Sequence, residues 1–171
     1  MSDPATHAEP RMLIDGELVP ARDDRSYENL NPAAEEVLGL VADAAPEDMD
    51  RAIGAARRAF DETSWSLDIE FRSRCLRQLQ AALEKHKEDL RPQIIAESGS
   101  PLQLTYAVQQ DSCIQDMLWD IEVAEKYDWE RDLGVHEFFG IKSQRRVYFE
   151  PVGVTGLITP WPVYFGAEPP M

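Results

Sequence analysis

The segment that decides the fold lies near the C-terminus, at residues 145–161, and reads RRVYFEPVGVTGLITPW. Its first part, residues 145–150, alternates charged and apolar residues, which predicts a strand with one solvent-facing side. Residues 152–158 are apolar apart from one threonine and two glycines, which predicts a strand buried on both faces of a parallel sheet. Ligands of open α/β sheets bind outside the carboxyl ends of the strands. The ligand site is therefore predicted at Thr159, Pro160 and Trp161.

The composition indicates one acidic, globular domain. The chain has 171 residues, a hydrophobic fraction of 43% and a charged fraction of 29%, which are ordinary values for a soluble domain. Its net charge of −15 argues against nucleic acid and anionic membranes as partners, because both require a basic surface. The first ten residues lack the apolar core of a secretory signal. Two cysteines without C-x-x-C spacing fit a reducing, cytoplasmic location.

Turn signals predict three hairpins after a disordered lead at residues 1–10. Asp15-Gly16 separates two short apolar segments and favours the positive φ angles of a type I′ turn. Asn31-Pro32 is the second turn, because proline presets φ and asparagine can hydrogen-bond the backbone beyond it. An amphipathic hairpin is expected at 135–150, with Phe138 and Phe139 on opposite faces of one strand.

Apolar spacing predicts three or four amphipathic helices between residues 46 and 127. The first begins at Pro46, which needs no N–H partner at the first helical position. The second is capped by Ser66, extends to about residue 86 and buries Cys75, Leu76 and Leu79. A third covers residues 88–98, and a fourth runs from 102 to 126.

Neither cysteine is expected to act as a nucleophile. Cys75 lies within a predicted buried face, where cysteine usually packs rather than reacts. Cys113 borders the apolar face of the fourth helix, and neither a glycine-rich turn nor a histidine within twenty residues is present to activate it. The sequence predicts no metal site.

Residues 150–161 also carry a family resemblance. They are similar to the segment of the aldehyde dehydrogenase superfamily that reads E-P-x-G-V-x-x-x-I-x-P-W-N. The likeness ends at Pro162, which stands where the family has asparagine. Residues 97–101, ESGSP, resemble the family's E-x-G-K-P signature, with Ser100 in place of lysine.

The resemblance implies an NAD(P)-dependent enzyme that oxidises an aldehyde to a carboxylic acid through a cysteine thiohemiacetal. The family's nucleophile motif, G-Q-x-C, and its base motif, E-L-G-G, do not occur in this sequence. The positions that match the family's cofactor contacts are Ile158, Thr159, Pro160 and Trp161, which would act through backbone atoms and ring surface. The family's asparagine helps to stabilise the oxyanion, and Pro162 has no side-chain donor to replace it.

The chain is therefore expected to be the N-terminal third of such an enzyme, inactive alone and without a complete NAD or NADP site. The implied fold is α/β, or α+β as a fragment: N-terminal hairpins, amphipathic helices and the first strand of an incomplete Rossmann-like domain. The expected divisions are the lead at 1–10, hairpins and helices of the cofactor-binding domain at 11–134, oligomerisation-type strands at 135–150, the Rossmann-type strand at 151–161 and a non-family tail at 162–171.

Two further interpretations remain open at this stage. The chain could be a non-catalytic interaction module that pairs with a second copy or with an intact homologous subunit. It could also be a small acidic helical protein whose resemblance to the family is incidental.

Overall fold

A computed structural model of the chain describes residues 9–159. Within that range, three separate two-stranded antiparallel sheets flank a set of helices. The strands are β1 (Met12–Ile14), β2 (Glu17–Val19), β3 (Ser26–Leu30), β4 (Val37–Ala42), β5 (Glu130–Phe138) and β6 (Ile141–Tyr148), and the helices are α1 (Pro46–Glu62), α2 (Ile69–Ser98), α3 (Leu102–Thr105) and α4 (Asp111–Lys126). This mixture of helix and strand confirms the predicted fold class.

The two N-terminal hairpins form as predicted. Asp15 and Gly16 connect β1 to β2 with φ angles of 57° and 80°, the positive values that a type I′ turn requires. In the second hairpin, the Asn31 side-chain oxygen accepts hydrogen bonds from the backbone N–H groups of Ala33 and Ala34 at 2.9 and 3.2 Å. Both turns are therefore set by their own residues.

Helix α1 begins at Pro46, as the sequence predicts, and its third residue anchors the start. The Asp48 carboxylate is only 2% exposed. It accepts hydrogen bonds from the N–H of Arg22, in a short 3-10 turn, at 2.9 Å and from the N–H of Ala45 at 3.0 Å. These backbone donors, first that of Arg22, lower the pKa of Asp48. Asp48 therefore joins the segment between β2 and β3, which contains Arg22, to the start of α1.

The prediction of two helices between residues 66 and 98 is wrong, because α2 is continuous over 30 residues. Asp68, not Ser66, caps it by accepting the Phe71 N–H at 2.8 Å. Pro92 lies inside the helix and removes one backbone hydrogen bond. The neighbouring Arg91 holds that part of α2 against α3 and α4 through side-chain hydrogen bonds, and the helix continues.

The predicted buried face of α2 is also wrong. Cys75 and Leu76 are half-buried, and Leu79 is 50% exposed. The side chains of α2 that are buried are instead Ser73, Arg91 and Ile94. Helices α2 and α4 pack against each other, and the buried apolar side chains of this contact layer are Ile94 of α2 and Ile114 and Ile121 of α4.

The predicted helix over residues 102–126 is interrupted. Residues 106–110 form turns between α3 and α4. We call residues 106–110 the α3–α4 junction. It contains neither glycine nor proline. The interruption of the helix is therefore caused by contacts with residues that are distant in sequence.

The third hairpin begins at Glu130, five residues earlier than predicted, and extends to Tyr148 with an irregularity between Asp132 and Gly134. Phe139 belongs to its turn, with a φ angle of 49°. The rings of Phe138 and Phe139 lie 4.3 Å apart, so the expectation that they point to opposite faces is wrong.

Residues 151–159 form neither helix nor strand, which differs from the prediction of a buried strand at 152–158. A strand needs a hydrogen-bonded neighbour, and no strand among residues 9–159 pairs with this segment. Val152 is 87% exposed and Ile158 98% exposed. Within the same range, no helix is long and apolar enough to cross a lipid bilayer.

Candidate functional site

The structure describes two of the four predicted site residues. Ile158 and Thr159 are both exposed, at the end of the segment that follows β6. Pro160 and Trp161 lie outside the described residues. The apolar side chain of Ile158 is thus accessible at the protein surface.

An aromatic cluster fixes where the chain leaves the third hairpin toward this site. The Tyr127 ring lies 4.9 Å from the ring of Trp129 and 5.3 Å from that of Phe149, measured between centroids. Trp129 donates its indole N–H to the carbonyl of Ala124, in α4, at 2.9 Å. The N–H of Phe149 donates to the carbonyl of Trp129 at 3.0 Å. The C-terminal end of β6 is therefore attached to the end of α4.

The chain next passes beside α1 at Gly153. Gly153 has a φ angle of 107°, and a β-carbon there would lie 3.5 Å from the guanidinium of Arg57. Arg57 also donates to Asp61 at 2.7 Å and lies over the Phe60 ring, 5.0 Å from its centroid. This φ angle is strained for any residue with a side chain, so glycine suits position 153.

These interactions are not among the features predicted from the sequence. Tyr127 and Trp129 precede the third hairpin, and Phe149 follows it. Aromatic residues at both ends of a predicted hairpin are a signal that could have indicated a cluster. Gly153 and Arg57 are 96 positions apart, and no local pattern indicates that they lie near each other.

The cysteines have the surroundings of structural residues. The Cys113 thiol donates to the carbonyl of Val108 at 3.0 Å, and burial, with the charge of Asp116 as a smaller cause, raises the pKa of Cys113. A raised pKa keeps the sulfur as a thiol, which is a poor nucleophile. Cys75 is half-buried in α2. Among residues 9–159, no three His, Cys, Asp or Glu side chains gather in a way that could hold a metal ion.

Comparison with known proteins decides the family. A family model described as "Aldehyde dehydrogenase family" matches residues 18–165. The chain belongs to the aldehyde dehydrogenase family. This confirms the resemblance of residues 150–161, since the matched range contains that segment and extends from within β2 through the second hairpin and all four helices.

Curated relatives support the assignment. The chain is 37% identical over 150 residues to 3-succinoylsemialdehyde-pyridine dehydrogenase of a Pseudomonas species, an alignment that covers 86% of this chain and 29% of the relative. It is 32% identical over 153 residues to aminoacetaldehyde dehydrogenase of Pseudomonas aeruginosa, covering 88% of this chain and 30% of the relative. The chain thus spans about a third of the length of the curated relatives it matches.

Solved structures agree with the sequence relatives. Betaine aldehyde dehydrogenase of Staphylococcus aureus, determined in complex with NAD+, matches with a TM-score of 0.70 at 30% identity, over 76% of this chain and 26% of that one. An aldehyde dehydrogenase of Mycobacterium tuberculosis complexed with NAD+ matches with a TM-score of 0.70 at 25% identity, over 76% of this chain and 27% of that one. The arrangement of hairpins and helices is therefore the arrangement found in aldehyde dehydrogenases.

Proposed function

We propose that this chain is the N-terminal portion of an NAD(P)-dependent aldehyde dehydrogenase that oxidises an aldehyde to a carboxylic acid. The observation that carries the proposal is the EPVGVTGLITPW segment at residues 150–161, inside the family match. Further support comes from family structures that hold NAD+. When bound, the nicotinamide cofactor accepts the hydride that the oxidation releases.

The proposed cofactor contacts are Ile158, Thr159, Pro160 and Trp161. An exposed apolar side chain at Ile158, together with accessible backbone at Thr159, fits the flat ring system of a dinucleotide. A complete dinucleotide site also needs a phosphate-binding turn and further strands. We therefore expect binding by this chain alone to be weak or undetectable.

The chemistry itself needs a cysteine thiolate and a general base, which this chain does not supply in the family's motifs. The thiolate would attack the aldehyde carbonyl, the base would activate the water that releases the acid, and a bound nicotinamide cofactor would supply the hydride acceptor. The half-buried thiols of Cys75 and Cys113 do not fit the first role. We therefore propose that the chain alone is inactive.

Its two free thiols favour a reducing, cytoplasmic environment, and we propose that location for the chain.

A second candidate function is an interaction module that pairs with a second copy or with a homologous full-length subunit. The observation that favours it is the tip of the β5–β6 hairpin, where Phe138, Phe139 and Ile141 are 64%, 89% and 71% exposed. Adjacent apolar side chains at such exposure are typical of a surface that another protein covers.

A chimera tests the first proposal. Residues 1–161 of this chain would replace the matched N-terminal part of the Pseudomonas 3-succinoylsemialdehyde-pyridine dehydrogenase, with that enzyme's own residues following. We expect NADH to form with the relative's substrate and none with this chain alone. A chimera that unfolds cooperatively but neither binds NAD+ nor forms NADH would contradict the proposal.

A matched pair of chimeras isolates position 162. One would keep Pro162 and the other would carry Pro162→Asn. Loss of one oxyanion donor typically lowers the rate ~100–1,000-fold, so the asparagine chimera should be faster by about that factor at similar KM. Equal rates would show that position 162 of this chain does not take the role of the family's asparagine.

A further inference from the structure

The feature that neither the family assignment nor the proposed site uses is a buried arginine. Arg91 of α2 is 3% exposed. Its guanidinium donates to Glu88 at 2.8 Å, to the Thr105 hydroxyl at 3.1 Å and to Asp111 at 2.7 Å. It also lies 3.9 Å from the centroid of the Tyr106 ring. A buried guanidinium is stable only when its donors are paired in this way.

Two of these contacts lie on opposite sides of the α3–α4 junction. Thr105 is the last residue of α3 and Asp111 the first of α4, so one guanidinium joins both ends of the interruption. A second contact from α2 lies beside it, because the Gln110 side-chain N–H donates to the carbonyl of Lys87 at 2.6 Å. Three side-chain hydrogen bonds thus join α2 to the junction and to its two ends.

The backbone at the junction is a widened helical turn. The N–H of Gln109 donates to the carbonyl of Leu104, and that of Ser112 to the carbonyl of Ala107, both at 3.1 Å and both five residues apart. The carbonyl of Leu104 also accepts from the N–H of Ala107 at 3.1 Å, with a spacing of three. An α-helix has a spacing of four. Wide turns of spacing five are rare, they occur mostly as single turns, and many of them are found at functional sites.

The sequence of this segment, by contrast, favours a regular helix. Residues 102–126 contain neither glycine nor proline, and apolar residues recur at helical spacing over 114–124. In the observed conformation, Gln110 has φ and ψ angles of −146° and −65°, outside the helical range. The side-chain oxygens of Gln109 and Gln110 are buried and accept no hydrogen bond from residues 9–159. Local preference and tertiary contacts therefore oppose each other here.

We propose that the α3–α4 junction is a two-state hinge: the wide turn held by Arg91, and a regular helix that runs without interruption from α3 into α4. The inference rests on the structure and not on the proposed function. In the helical state, the side chains of Gln109 and Gln110 leave the interior. Tyr106 and Leu102 move with the helix, and both line a groove of about 680 Å³ between α2, α3 and the β3–β4 turn. The hinge therefore sets the shape of this groove.

Hydrogen exchange of the backbone amides tests the hinge, because the proposal fixes the sign of the change. Removing the guanidinium with Arg91→Met releases the wide turn, and the amides of residues 106–111 then donate to carbonyls four residues earlier. We expect these amides to exchange about tenfold more slowly than in the unmodified chain. An arginine with only a structural role would instead leave a looser junction, and exchange would be faster.

The control is Arg77→Met, the same substitution in the same helix. Arg77 also links α2 to α4, through a 2.7 Å hydrogen bond to Glu125, but it is exposed and distant in sequence from the junction. It should leave exchange at residues 106–111 unchanged. Unchanged or faster exchange in the Arg91→Met chain would overturn the proposal.

A second variant decides the question if Arg91→Met fails to unfold cooperatively. Gln110→Ala removes the hydrogen bond to Lys87 and supplies the best helix former at the junction, while Arg91 keeps all its partners. The proposal expects slower exchange at residues 106–111 in this chain as well. Faster or unchanged exchange would overturn it.

Discussion

The helical region, residues 46–126, and the C-terminal region, residues 130–159, are stabilised in different ways. In the helical region, Ile114 is fully buried and Ile121 is 2% exposed. In the C-terminal region, no residue is buried. Its hairpin is held by the strand ladder and by cross-strand side-chain contacts such as Gln144 to Asp132 at 2.6 Å.

This contrast indicates what each region requires from its surroundings. An isolated two-stranded hairpin is marginally stable in water, and this one exposes Leu133, Val135 and the residues of its tip. The helices carry an apolar layer and a buried ionic cluster of their own. We therefore expect the helical region to determine the unfolding transition and the C-terminal region to determine association. Four predictions test this division, in decreasing order of their effect on the melting temperature.

The largest effect is expected from the contact layer between α2 and α4. Ile114→Ala should lower the free energy of unfolding by about 3 kcal/mol, because a fully buried isoleucine leaves a cavity when truncated. Val135→Ala in β5 is the matched truncation, at 67% exposure. Its effect should stay within about 0.5 kcal/mol. Urea unfolding of both variants measures the difference, and equal losses would refute the division.

Asp48 is expected to have the second largest effect, and one that depends on pH. Its folded-state pKa is lowered by the N–H groups of Arg22 and Ala45. A lowered pKa adds stability above the unfolded value of about 3.9, and that stability is lost as the pH falls through the folded value. Asp48→Asn should therefore reduce the melting temperature by about 5 °C at neutral pH, and the gap should close below about pH 4.

The control for Asp48 is its neighbour Asp50, which is exposed in the same helix. Asp50→Asn removes the same charge without the two backbone contacts, and its melting temperature should follow that of the unmodified chain at every pH. A gap between Asp48→Asn and the unmodified chain that persists unchanged into acid would contradict the assignment.

The parts of the fold that the sequence predicts correctly are those set by neighbouring residues. Asp15-Gly16 forms its turn from two adjacent φ angles, and Pro46 starts α1 because of its own ring. The family segment at 150–161 is also local, which is why the resemblance could be read without any structure. Among its four proposed site residues, the structure describes Ile158 and Thr159, and both are exposed.

The errors arise where distant residues decide the conformation. Arg91 reaches Thr105 and Asp111, 14 and 20 residues away, and no local pattern in residues 102–126 indicates an interruption. Residues 152–158 have the composition of a central strand, but composition supplies no neighbour to pair with. The geometry of the candidate site could not be predicted from the sequence, because it depends on contacts between residues that are distant in sequence.

The third prediction concerns association, with little effect on melting. Phe139 at the hairpin tip is 89% exposed, so Phe139→Lys should reduce the mass measured by light scattering during size exclusion. Its melting temperature should change by less than about 2 °C, because an exposed side chain contributes little to folding. The lower mass is expected because adjacent apolar side chains at a surface favour association with another chain, and the lysine removes one of them.

Leu67→Lys provides the comparison from the helical region. Leu67 is 84% exposed, between α1 and α2, and it is not part of the hairpin tip. We expect this variant to associate as the unmodified chain does. If both lysine variants lowered the mass equally, association would follow from general hydrophobicity and not from the C-terminal region.

The smallest effect is expected from an ion pair in the hairpin. Arg146 and Glu130 approach to 2.7 Å, the same distance that separates Arg91 from Asp111. The side chains of Arg146 and Glu130 are 45% and 48% exposed, however, whereas that of Arg91 is 3% exposed. Water and salt screen an exposed pair, so Arg146→Gln should change the melting temperature by less than about 1 °C at ~0.1 M salt. Thermal unfolding followed by circular dichroism measures this. A loss of several degrees would mean that the pair is shielded from water in solution, and the C-terminal region would then have a buried contact like those of the helices.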